Sequence, residues 1–152
     1  MIPSSIVSKS CHAMYRYKCN MCVLVMGNSF GSARPNCVDF EYVLKRYTHT
    51  TLISTIPGSR GNHRIKYTLD PADEVDAINK YISSSENTEI IVYGTNCADT
   101  SVFTKYEQLS SLGFTNLKLY CGGLFEWILL QDVYGDDTFQ TNHEVDDILK
   151  YK

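Results

Sequence analysis

Seven residues, Gly94-Thr95-Asn96-Cys97-Ala98-Asp99-Thr100, separate the apolar run Ile90-Ile91-Val92-Tyr93 from a helical pattern that opens near Ser101. A strand that passes through a tight polar loop into a helix aims backbone N–H groups, and the positive end of the helix dipole, at one point beyond the sheet edge. That point suits an anion or an ionised thiol. Cys97 is the one nucleophile in the loop, and Gly94, Thr95, Asn96, Ala98, Asp99 and Thr100 would line the substrate or anion site around it. Helpers are scarce, because Lys105 is the first basic residue after Gly94 and Asp99 would oppose a thiolate. A helix dipole contributes about 0.3–1 kcal/mol at an exposed site and up to ~2 kcal/mol when partly buried. One pKa unit is worth ~1.36 kcal/mol, so the dipole alone lowers a thiol by about one unit. Further positive charge would have to come from another loop, through Arg60, Arg64 or Lys66, which with His63 form a basic cluster.

The remaining chemistry-bearing residues have plainer readings. Cys121 ends a strand before Gly122-Gly123 and reads as a structural thiol. Cys19 and Cys22 make a C-x-x-C, but Cys11 and His12 are adjacent and ill-spaced to complete a tetrahedral zinc site, so no metal and no cofactor is expected. His49, His63 and His143 fall in loops with no partner at ligand or triad spacing, and Asp132, Asp136 and Asp137 read as a solvated helix end.

These residues must be carried by alternating strands and helices. Phe40, Val43, Leu44 and Tyr47 recur at helical spacing within 38–47, with Asp39 in the first turn. Thr51 to Ile56 is a strand stopped by Pro57-Gly58. Asp70-Pro71 reads as an N-cap and first helical residue, opening a helix to about Ile82 along Ala72, Val75, Ile78, Tyr81 and Ile82. Ile90 to Tyr93 is apolar throughout, as a strand covered on both faces would be. Val102, Phe103, Tyr106, Leu109 and Leu112 form the next helical stripe, which Gly113 closes. Leu117 to Tyr120 is a strand, and Cys121-Gly122-Gly123 turns it into a helix holding Leu124, Phe125, a core Trp127, Ile128, Leu129 and Leu130. Short loops between alternating elements favour βαβ units and a parallel sheet, whose sites lie beyond the carboxyl ends of the strands. From Asp136 the chain reads as a mostly solvated end.

The totals set limits. With 152 residues, 43% apolar and 20% charged, the chain suits one domain, and no apolar run approaches the ~20 residues of a membrane helix. Net charge is −3, yet the first 38 residues carry +4 with no acid and the rest carry −7, which argues against nucleic acid. The basic leader fits a disordered tail or a mitochondrial transit peptide. Six cysteines crowded into the N-terminal quarter and the core are no disulfide framework, and free thiols in a reducing, cytoplasmic setting are the default, with mitochondrial as the alternative. Met26-Gly27-Asn28-Ser29-Phe30-Gly31-Ser32 reads as a Gly/Ser linker, and it would signal a lipid anchor only if translation began at Met26.

Three features in order then become specific: Leu112-Gly113-Phe114-Thr115-Asn116-Leu117, Gly122-Gly123-Leu124-Phe125-Glu126-Trp127 and Tyr134-Gly135. Together with the strand and loop before them, they resemble the second half of a rhodanese-like domain. The first half is less alike, since Ser54-Thr55-Ile56-Pro57 stands where the family usually has Asp-x-Arg. The resemblance covers residues 37–141, leaving a flexible basic extension at 1–36 and a polar acidic tail at 142–152. It implies a single α/β domain with a central parallel sheet flanked by helices on both faces. Active members of the family transfer sulfane sulfur through a cysteine persulfide on the residue that follows the strand, and here that residue is Gly94. Cys97 sits three places out of register. The resemblance therefore implies a binding or regulatory module without ordinary thiosulfate sulfurtransferase activity, with a protein partner. The alternative is a sulfurtransferase or persulfide carrier working through Cys97 on a small sulfur donor or acceptor. Cysteine phosphatases use a similar loop but need Arg six residues after the cysteine, where Phe103 stands.

Overall fold

The four residues of Ile90–Tyr93 are each 0% exposed, a burial that only a central strand covered on both faces can reach. The computed structural model, which describes residues 35–58, 62–84, 87–144 and 147–152, makes this strand β3 of a four-stranded sheet. The other strands are β1 (Cys37–Val38), β2 (Thr51–Ser54) and β4 (Leu117–Tyr120). Their order is β1-β4-β3-β2, and all three pairings are parallel. The register aligns Ser54 with Tyr93, Tyr93 with Tyr120, and Tyr120 with Val38, so all four strands end at one level. The loops that follow them share one edge of the sheet.

Four helices alternate with these strands: α1 (Phe40–Arg46), α2 (Glu74–Ser84), α3 (Ser101–Ser111) and α4 (Gly123–Tyr134). The path from β1 to β2 crosses the sheet in one direction, and β2 to β3 to β4 returns in the other. With right-handed crossovers this puts α1 on one face and α2 and α3 on the opposite one. Side-chain contacts agree: Glu74 of α2 pairs with Lys105 of α3, while Tyr47 at the end of α1 meets Trp127 of α4 edge-on, ring centroids 5.6 Å apart. Helices thus cover both faces of the central parallel sheet, the architecture implied by the rhodanese-like resemblance.

The α1/α4 face is held by aromatic rings. Trp127 is 0% exposed and packs on Tyr47, Tyr120 and Phe139, the last at 5.0 Å, while its indole N–H donates to the Gln140 carbonyl at 3.2 Å. This satisfies the ring's one polar group without losing burial. On the far edge of β2, Thr68 forms a parallel bridge to Leu52 and Leu69 N–H donates to the Leu52 carbonyl at 2.9 Å, so the segment after the turn extends the sheet by one contact.

Three expectations need correction. Asp39 is the N-cap of α1, not part of its first turn, and its carboxylate accepts from Tyr42 N–H at 2.8 Å. Asp70 is not the cap of an α-helix: its carboxylate accepts from Ala72 N–H at 2.9 Å within a turn, and the α-helix begins only at Glu74. The solvated end expected from Asp136 is interrupted, because Phe139 and Tyr151 are both 0% exposed and Ile148–Tyr151 closes as a 3-10 turn. Apolar burial wins there over local polarity. No helix among the described residues is long and apolar enough to cross a membrane.

Trp127→Ala removes the ring shared by α1, α4 and Phe139, and such truncations cost about 3–5 kcal/mol. Urea unfolding is expected to show a loss of that size.

Candidate functional site

The loop Gly94–Thr100 leaves β3 at the sheet edge and enters α3. The connection after β3 leads to one face and the one after β4 leads to the other, so the crevice where α/β sheets bind ligands falls between this loop and Cys121-Gly122-Gly123. In this chain the crevice is filled by the protein itself.

From one side comes the backbone of α4. Leu124 N–H and Phe125 N–H, the first amides of that helix, donate to the carbonyls of Gly94 and Thr95, each at 2.9 Å. Such amides elsewhere bind anions; here they hold the loop. The approach is close enough that a Cβ on Gly123 would lie 2.7 Å from Gly94 O and 2.9 Å from Asn96 N. Gly123 also has φ +65°, so both space and conformation require glycine.

From within comes Asp99. Its Oδ2 accepts from Thr95 N–H at 2.8 Å and its Oδ1 from Ser101 N–H at 3.0 Å, with the Ser101 hydroxyl 2.6 Å away. Burial by itself would raise the Asp99 pKa, but the hydrogen bonds from Ser101 and Thr95 outweigh it and hold the carboxyl below its ordinary 3.8. The carboxylate is the anion of this loop. It also occupies the space above Gly94, where an added Cβ would lie 2.5 Å from Asp99 Oδ2 and 2.7 Å from a Val102 methyl. A side chain at the position after the strand has no room while Asp99 stays.

The other loop residues build a turn. Asn96 Oδ1 accepts from Ala98 N–H at 2.9 Å and the Asn96 carbonyl from Asp99 N–H at 3.1 Å, which places Cys97 at an exposed tip. Thr95 is 2% exposed and Thr100, expected to line the site, is exposed and makes no side-chain cap to α3. Of the residues predicted for the site, Thr95 and Asn96 bond Asp99, through the Thr95 N–H and the Asn96 carbonyl.

Two of the bases that could have served an anion have side-chain partners elsewhere. Lys105 pairs with Glu74, and Lys66 Nζ lies 5.5 Å from the centre of the Tyr67 ring. Arg64 anchors a backbone link, with its N–H donating to Asn142 Oδ1 at 2.7 Å. Arg60, and the Cys11, His12, Cys19 and Cys22 group, lie outside the described residues. No group of three or more His, Cys, Asp or Glu that could hold a metal occurs among the described residues.

Local sequence carries no sign of the support behind the loop. Asn96 Nδ2 donates to the Tyr151 carbonyl at 3.0 Å, and Tyr151 Oη lies 2.5 Å from His63 Nδ1. His63 Nε2 is 2.7 Å from the Glu144 carbonyl, which can only accept, so Nε2 carries the proton and Nδ1 accepts from the tyrosine in the neutral ring. His63, expected to be an idle loop residue, fastens the chain's last turn to the loop. Tyr93, the last residue of β3, is fully buried; its hydroxyl accepts from Ile65 N–H at 3.1 Å and meets Thr68 Oγ1 at 2.7 Å. Burial pushes its pKa up to about 12, so the phenol is neutral and serves as structure. Asp99 does have a legible signal: an acid beside a helix N-terminus suits the unpaired first N–H groups there.

The site thus belongs to a parallel α/β domain, with the loop after its central strand closed over its own carboxylate. Among solved structures, the chain is similar to the Rhodanese_3-like domain of the Alr3790 protein from Anabaena sp., with 25% identity over 53% of this chain and 92% of that one and a TM-score of 0.40. It is also similar to a second Alr3790 structure, with 24% identity over 61% and 86% of the two chains and a TM-score of 0.45. No family model matches the chain, and no curated protein matches it.

Two measurements check this geometry. Gly94→Ala should destabilise by about 1–3 kcal/mol, the usual size for overpacking, and less when Asp99→Gly is also present, so that the double-mutant cycle shows coupling. Because the folded pKa of Asp99 is depressed, its stabilisation is present above the unfolded value near 3.8 and is lost as pH falls through the folded one. Asp99→Asn should flatten the acid limb of the stability–pH curve in that window.

Proposed function

We propose that this rhodanese-like domain acts as a binding or regulatory module and not as an ordinary thiosulfate sulfurtransferase. The observation that carries the reading is the Asp99 carboxylate seated on Thr95 and Ser101 N–H groups, directly above Gly94. The resemblance puts the family's persulfide on the residue after the strand, where N–H groups would have to turn towards it. In this loop glycine supplies no sulfur, and the carboxylate takes both the donors and the volume. A thiosulfate dianion approaching the same point would meet a fixed negative charge, with Lys105 already paired to Glu74. The chain's domain limits, an extension over 1–36, the domain over 37–141 and a tail over 142–152, are part of this proposal, with the buried Tyr151 docked on the domain.

Exposure of Cys97 supports the second reading, a persulfide carrier, since an acceptor or donor can reach the tip of the turn. The two readings separate in a thiosulfate:cyanide assay on wild type and Cys97→Ser. Neither protein is expected to turn over. Turnover by wild type that Cys97→Ser abolishes would overturn the module reading in favour of an enzyme. Persulfide on Cys97 after treatment with a sulfane-sulfur donor such as polysulfide, which gives up one sulfur to the thiolate and leaves one sulfur shorter, would, with no turnover, make sulfur carriage the function. Gly94→Cys combined with Asp99→Gly, which restores both the sulfur and the open donors, is expected to gain a persulfide that Gly94→Cys alone does not.

A further inference from the structure

A pair of cysteines outside this loop has a separate capacity. Cys37 opens the edge strand β1 and Cys121 follows β4 directly, 84 positions later in the sequence. The parallel register sets Cys37 beside Leu119, and Cys121 is two residues beyond Leu119, so both thiols fall on the same side of neighbouring strands. Their sulfurs are 3.2 Å apart. A disulfide has S–S of about 2.05 Å, so closure needs the two sulfurs to approach by about one ångström. Cys121 is 7% exposed, whereas Cys37 is half-buried and the more accessible of the two.

We propose that Cys37 and Cys121 are a redox-modification site, joined reversibly as a disulfide by exchange with a small-molecule disulfide such as oxidised glutathione. The Cys37 thiolate attacks one sulfur of the oxidant, forming a mixed disulfide and releasing one reduced thiol. The Cys121 thiolate then attacks the Cys37 sulfur and expels the second thiol. Two protein thiols are oxidised, one external disulfide is reduced to two thiols, and the two protons go to those leaving thiolates. The bond would fasten the two-residue edge strand β1 to the residue just before Gly122-Gly123, the turn whose helix holds the Gly94–Thr100 loop. It also closes a long loop in the unfolded chain, the condition under which a cross-link stabilises most.

The test is equilibration of the full-length protein in glutathione redox buffers, followed by mass mapping of peptides without reduction. The expected result is a cross-linked pair of peptides containing Cys37 and Cys121, two hydrogens lighter than the separate thiols and reversed by dithiothreitol. The oxidised protein should melt several degrees higher than the reduced one. Cys37→Ser and Cys121→Ser should each remove both effects, and Cys97→Ser should keep them. The proposal is overturned if Cys37 stops at the glutathione adduct, if either cysteine pairs with a different one, or if no cross-link forms in buffers that modify Cys97. Because mapping is done on the wild type, the test stands even where a variant fails to fold.

Discussion

Two backbones lie against each other where α4 meets the end of β3, closer than any side chain would permit. The carbonyls of Gly94 and Thr95 accept the opening amides of α4, and Gly123 leaves no Cβ to hold them apart. Everything else at this edge of the sheet follows from that contact. The carbonyl direction is fixed, so the loop must turn back at Asn96. The turn brings Asp99 beneath Thr95, and the carboxylate then begins α3 by accepting from Ser101. The crevice between β3 and β4, open to ligands in many α/β sheets, is here a seam within the fold.

This seam changes what glycine at position 94 means. With Asp99 hydrogen-bonded over it, Gly94 is part of a matched pair, since a side chain at 94 would meet the carboxylate that Thr95 and Ser101 hold in place. Electrostatics point the same way. A resident carboxylate on N–H groups is a stable neutralisation of the helix dipole, whereas a thiolate or a dianionic donor would have to displace it from hydrogen bonds that already hold its pKa down.

Much of the architecture is legible in the sequence because its causes are local. Four-residue strands such as Ile90–Tyr93, and helical stripes such as Val102, Phe103 and Leu109, declare themselves by apolar periodicity, and Gly113 adopts the positive φ that its place after a helix suggests. Features set by distant partners are not legible. Nothing near Tyr151 in sequence says that it is buried, because its partners are His63 and Asn96. The proximity of Cys37 and Cys121 depends on β1 pairing with the last strand, not with its neighbour in sequence. At the loop, the charge of Asp99 is visible from sequence as hostile to a thiolate. Its geometry is not, since one-dimensional spacing does not show whether an acid opposes an anion site or fills it.

Tyr93 carries a consequence of another kind. Its backbone leads directly into the Gly94 loop, while its hydroxyl, at the far end of a fully buried ring, closes the 65–68 turn through Ile65 and Thr68. One residue thus spans two surface segments, and neither can open widely without disturbing the same side chain. The N–H groups of Ile65 and Thr95 both lie next to this residue, one donating to its phenol and the other, on the residue two places on, to the Asp99 carboxylate. The loop at the sheet edge and the turn at 65–68 are thus tied to one buried ring at the end of the central strand.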